Sequence, residues 1–138
     1  MKTIVFISCV KKKKAVPCAA LDFYDSAWFG KARGYAESLG PDKIYILSAK
    51  YGLAGAGQRI CPYDETLNNM NAAQRKAWAD RVLVQMRAAG INFNENAIFL
   101  AGRKYREHLI DRFTNAKVPM RELGIGKQLR FMSRRKLS

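Results

Sequence analysis

The chain has 138 residues, 49% of them hydrophobic, which fits one domain with a single buried core. No stretch reaches the ~20 apolar residues of a membrane helix, and the apolar run at residues 1–10 precedes the lysines at 11–14, the reverse of a secretion signal's order; the cytoplasm is the expected compartment and no membrane partner is expected. Lysine and arginine number 25 against 11 acids, a net charge of +14; such an excess repels itself unless a polyanion is nearby, so nucleic acid is the expected partner, with plain solubility as the alternative.

Residues 3–9, TIVFISC, form a short β-branched and aromatic run of the kind found in a buried parallel strand. A basic loop follows, VKKKKAVPCAALDFYD. Ser26 then caps a predicted helix to about Leu39, with Phe29, Ala32, Tyr35 and Ala36 on one face, and Gly40-Pro41 stops it. Lys43–Ser48, KIYILS, is the second predicted strand. The stretch that follows, up to Leu67, is longer than the ~4–6 residues a connector needs. Asn71 caps the next predicted helix, which Gly90 ends, with Trp78, Val82, Leu83 and Met86 on its buried face. Residues 96–102, NAIFLAG, make a third strand, Gly102 leads a helix over residues 103–115, and residues 118–123 make a short fourth strand. A short helix and a basic tail at residues 133–138 end the chain. Strands alternating with helices predict one three-layer α/β domain over residues 1–132, with three or four mainly parallel strands joined by right-handed crossovers. Ligands of such sheets gather beyond the carboxyl ends of the strands.

Those ends hold the candidate residues. Ser8, Cys9 and the lysines, Lys11 and Lys12 among them, can cradle a phosphate, although GxxxxGK[ST] is absent; a solvated basic loop is the alternative. Cys9 is either a nucleophile activated by the lysines or a packing cysteine. Ser48 and Lys50 sit at the tip of the second strand as catalytic candidates, and Lys50 can bind phosphate or, if desolvated, act as base or nucleophile; a purely structural role for this turn is the alternative. Gly52 suits a turn that needs a positive φ, and Tyr51 is a core aromatic or a stacking platform for a base. In Pro62-Tyr63-Asp64-Glu65, Asp64 is a candidate general base or stabiliser of a cationic transition state, or else a turn residue. Arg103, Lys104 and Arg106 oppose the dipole of the helix they start, as a site awaiting phosphate would; an ordinary basic surface is the alternative. The three cysteines lack a CxxC pair and His108 is the one histidine, so no metal centre, disulfide framework or cofactor is expected. Arg130, Arg134, Arg135 and Lys136 suit nonspecific backbone binding.

Three phrases, VFISCVK, YILSAKYGLAGAGQRICPYDETL and IFLAGRKYREHL, together resemble the YaaA-like superfamily of small phage and bacterial domains related to the peroxide-stress proteins. Ser8 and Lys11 match its first motif, Ser48, Tyr51 and Gly52 the second, Pro62 and Tyr63 the third, and Leu100, Ala101 and Tyr105 the last. The first motif is also similar to the Pro-Cys-Ser and Tyr-Ser pattern of archaeosine synthase, with Cys9, Tyr24 and Ser26 in comparable places. The resemblance implies an intracellular α/β protein that binds DNA; Asp64 stands where the YaaA proteins carry a basic residue. Residues and resemblance together lead to an expected enzyme on a modified or damaged base, glycosidase-like or lyase-like. In it Tyr51 or Tyr63 would stack on an extruded base, and Asp64 would serve the sugar. The alternatives are a non-catalytic DNA- or RNA-binding module and an enzyme of free nucleosides or nucleotides.

Overall fold

In the computed structural model the chain is described over residues 2–10 and 13–137, with side chains to residue 133. Thr3–Ser8 forms β1, and from Ile4 onward every residue of it is buried, as a strand covered on both faces must be. The basic loop is partly ordered. Cys18–Ala19 (β2) and Ala20–Phe23 (α1) fold inside it, and Phe23 and Tyr24 are drawn into the core. Ala27–Ser38 (α2) starts at Ser26, whose hydroxyl accepts the Phe29 N–H at 3.1 Å. Lys43–Ser48 (β3) then pairs parallel to β1.

The long stretch after β3 turns back at Gly52 (φ +73°), and Gly52–Gly55 (β4) pairs antiparallel with β3. Its glycines obscure a strand in sequence, yet Leu53 and Ala54 are buried. Arg59–Ile60 (β5) closes a two-stranded ribbon with β2. Ala72–Ala88 (α3) opens with a reciprocal capping box between Asn71 and Gln74. Asn96–Leu100 (β6) lies parallel to β1 on the side away from β3.

The predicted helix over residues 103–115 is cut short. Arg103–Arg106 (α4) ends at Glu107, and the chain tightens into i→i+3 bonds from Leu109 to Arg106 and from Phe113 to Ile110. This winding buries Leu109 and Phe113 and delivers the chain at once to Asn115–Lys117 (β7). The last strand therefore precedes residues 118–123 instead of occupying them. Ile125–Leu137 (α5) runs across the expected boundary at residue 132 and packs along α2, with Tyr35 and Phe131 rings 5.4 Å apart.

The result is a single α/β domain whose sheet order is β4-β3-β1-β6-β7, parallel except for β4. Five strands replace the expected three or four, because β4 was hidden in the glycine-rich stretch. From β1 the chain steps to β3 on one side, then returns past β1 to β6 on the other. With right-handed crossovers, these opposite steps put α2 and α3 on opposite faces and open a crevice beyond β1 and β6. Among the described residues, no helix is long and apolar enough to cross a membrane.

Candidate functional site

A cleft of about 1200 Å³ lies at that switch point. Ser8 and Cys9 from the tip of β1 and Ala101 and Gly102 from the tip of β6 form its floor. Tyr105 stands beside them, its hydroxyl accepting the Cys9 S–H at 3.3 Å and the Leu67 N–H at 3.3 Å. Cys9 is thus tied to a phenol, and His108 lies beside Glu107 at 3.8 Å instead of lining the cleft. Ser8 is 6% exposed and its hydroxyl makes no hydrogen bond to a described residue; its oxygen opens on the cleft.

The lining carries both signs of charge. Lys13, Arg103, Lys104, Arg106 and Arg121 border the cleft, as do Asp64, Glu65 and Glu122. Five cations thus stand against three acids among the described lining residues, so the cleft is net basic. Arg106 is anchored on the Ala101 carbonyl at 2.9 Å. Partial burial, and then the guanidiniums of Arg121 and Arg103, pull its pKa below the usual arginine value. Trp28 supplies a half-buried indole, held by a 2.7 Å bond to Gln128, and Phe99 and Met120 add apolar wall.

Ser48, Tyr24 and Tyr63 meet in a buried network next to this cleft without lining it. The Ser48 hydroxyl donates to Tyr63 at 2.8 Å and accepts the Tyr51 N–H at 3.0 Å. The Tyr63 and Tyr24 hydroxyls are 2.6 Å apart, and Trp78 donates to the Ser48 carbonyl at 2.9 Å. Burial, with Cys9 nearby as the second cause, drives the phenols of Tyr24, Tyr63 and Tyr105 well above the ordinary tyrosine value. They stay neutral, so the network orients groups without adding charge. Lys13 joins network and cleft, its ammonium 4.7 Å from the Tyr63 ring centre.

Several expected roles change with these positions. Tyr63 cannot stack on a base, because its ring packs against Phe23 (6.2 Å, 10°) and lies under Lys13. Tyr51 meets Tyr63 edge-on at 5.8 Å and its hydroxyl takes the Cys61 N–H at 2.9 Å, clasping the loop instead of lining the cleft. Lys50 is exposed outside the cleft, so the desolvation that a lysine base requires is missing. Ser48 is fully buried with its hydroxyl engaged. Lys11 and Lys12 lie outside the described residues, as do the side chains of Arg134, Arg135 and Lys136. Ser8, Cys9, Asp64, Arg103, Lys104, Tyr105 and Arg106 do share the cleft.

Arg121 and Trp28 were missed in sequence. Placing the last strand at residues 118–123 put Arg121 inside it, whereas β7 ends at Lys117 and Arg121 follows a strand tip. Trp28 had only the signal of lying in the first turn of α2. Among the described residues, no three His, Cys, Asp or Glu side chains are grouped to hold a metal ion.

An open, mostly parallel α/β domain with its cleft at a topological switch point is the class this molecule falls in. The chain belongs to a family of unknown function (DUF6884), whose model matches residues 4–134. No curated protein and no solved structure matches it.

Proposed function

We propose that the protein binds nucleic acid, DNA in preference to RNA, in the cytoplasm and acts on one extruded nucleotide in the switch-point cleft. The supporting observation is a net basic lining that also carries the carboxylates Asp64 and Glu65, around a cleft of about 1200 Å³. Cations supply backbone affinity; acids repel phosphate, so their presence there suits chemistry on the sugar or base. Trp28 takes the stacking role and Ser8, Cys9 and Tyr105 meet the base edge. Asp64 positions water or offsets charge at the sugar, as a glycosidase-like or lyase-like reaction needs. The resemblance to the YaaA-like superfamily belongs to the same proposal.

The test is incubation with oligonucleotides carrying modified or damaged bases, followed by mass spectrometry. Released base or a cleaved sugar is the expected product. Asp64→Asn is expected to lower turnover by about 10²-fold or more while oligonucleotide affinity holds. Equal losses of turnover and binding would remove the catalytic role. The mutual satisfaction of Ser48, Tyr63 and Tyr24 favours a second reading, a non-catalytic binder; that reading predicts no product and no effect of Asp64→Asn.

A further inference from the structure

We infer that Arg103, Arg106 and Arg121 form a phosphate subsite inside the cleft, built for the phosphate of a single nucleotide unit. This rests on the nucleic-acid reading and adds the moiety that enters the cleft. The three arginines come from two separate segments, one after β6 and one after β7, and all border the cleft, with Arg103 and Arg121 near enough to Arg106 to act on its charge. None makes an ion pair with a described residue. Elsewhere arginines do find carboxylates: Arg33 pairs with Asp22 at 2.6 Å and Arg75 with Glu107 at 3.0 Å. Clustered guanidiniums repel one another, and after burial itself it is Arg121 and Arg103 that depress Arg106. A dianionic or diester phosphate removes that repulsion and accepts several charged hydrogen bonds at once.

Preorganisation supports the assignment. The Ala101 carbonyl fixes Arg106 at 2.9 Å, so part of the ordering cost is met before a ligand arrives. The same cleft offers the open Ser8 hydroxyl and the Trp28 indole, a donor-acceptor and an aromatic face for the rest of a nucleotide. A bare basic surface would not need this second half.

The phosphate can arrive on a free nucleotide or within a strand, and the experiment separates the two. Calorimetry at low salt would compare deoxynucleoside monophosphates, the matching nucleosides and inorganic phosphate; fluorescence anisotropy would follow a short labelled single-stranded DNA. Wild type, Arg106→Gln, Arg121→Gln and a control, Arg59→Gln, would be measured, each checked for unchanged thermal unfolding. Arg59 is exposed on β5 outside the cleft and removes the same charge. Arg121 is exposed, so its variant keeps the test valid if Arg106→Gln fails to fold. Monophosphates are expected to bind more tightly than nucleosides, and each cleft variant to lose about tenfold to a hundredfold, the control staying near wild type. Equal affinity for nucleoside and monophosphate, or cleft variants behaving like Arg59→Gln, overturns the subsite; strand binding that persists in that case leaves the nucleic-acid reading standing. Arginine-dependent monophosphate binding without strand binding keeps the subsite and overturns the nucleic-acid reading. No binding of any probe overturns both.

Discussion

Burial shifts Tyr24, Tyr63 and Tyr105 more than any neighbour does, and all three shifts run upward. In the unfolded chain these phenols ionise near the ordinary value of about 10. In the folded chain they keep their protons beyond that point. The folded state therefore binds more protons than the unfolded one above about pH 10. Their contribution to stability is complete below that pH and is lost as pH rises toward the folded values. Three such groups lower stability by up to about 4 kcal/mol per pH unit. Absorbance of phenolate during an alkaline titration is expected to show these three appearing together with unfolding, not ahead of it. Tyr63→Phe keeps the packing on Phe23 and removes one of the three groups, so its urea midpoint is expected to fall less steeply with pH. A slope unchanged by that substitution would contradict the burial account. The residue scale also explains why Ser48 looked catalytic in sequence. A serine at a strand tip is equally suited to holding its own turn, and only the partners Tyr51 and Tyr63 decide between the two.

At the scale of elements, the turn from β3 into β4 depends on α3. Gln85 reaches from that helix, accepting the Leu53 N–H at 2.8 Å and donating to the Tyr51 carbonyl at 3.0 Å. A Cβ on Gly52 would stand 2.2 Å from Gln85 Oε1, at a backbone φ of +73° that side chains disfavour. Gly52→Ala is expected to destabilise by about 2–3 kcal/mol, read from urea unfolding. Part of that loss comes from displacing Gln85. Gly52→Ala on a Gln85→Ala background is therefore expected to cost less than on wild type, and additivity would mean that backbone strain alone acts. The positive φ at Gly52 was legible in sequence, as were β1, β3, β6 and the caps at Ser26 and Asn71, because local chemistry decides each of them. β4 was not legible. Its glycines carry no strand propensity, and it exists through pairing with β3 and cover from Gln85. α4 was misjudged for a related reason: where it stops is decided by burial of Leu109 and Phe113 in the core, which a chain of i→i+3 turns serves as well as an α-helix. Misplacing β7 by three residues then hid Arg121, so an error in an element became an error in the site.

Over the whole molecule, the sheet order decides which of the many cations reach the cleft, and most of the net +14 lies outside it. The switch of direction at β1 places the tips of β1, β6 and β7 around one cleft and brings five cations and three acids to its lining. That number bounds the salt response of a strand entering the cleft. Each phosphate neutralised on a single strand contributes about −0.7 to the slope of log K against log salt, so five contacts give at most about −3.5. A slope between about −2 and −3.5 is expected for short single-stranded DNA. Arg121→Gln is expected to flatten it by about 0.7, the share of one contact. A steeper slope, unaffected by Arg121→Gln, would move the main contact surface away from the cleft and onto the outer basic faces, of which the exposed Arg130 on α5 is part. A slope near zero would leave the positive charge without a polyanionic partner, and the reading of the cleft as a nucleic-acid site would fall with it.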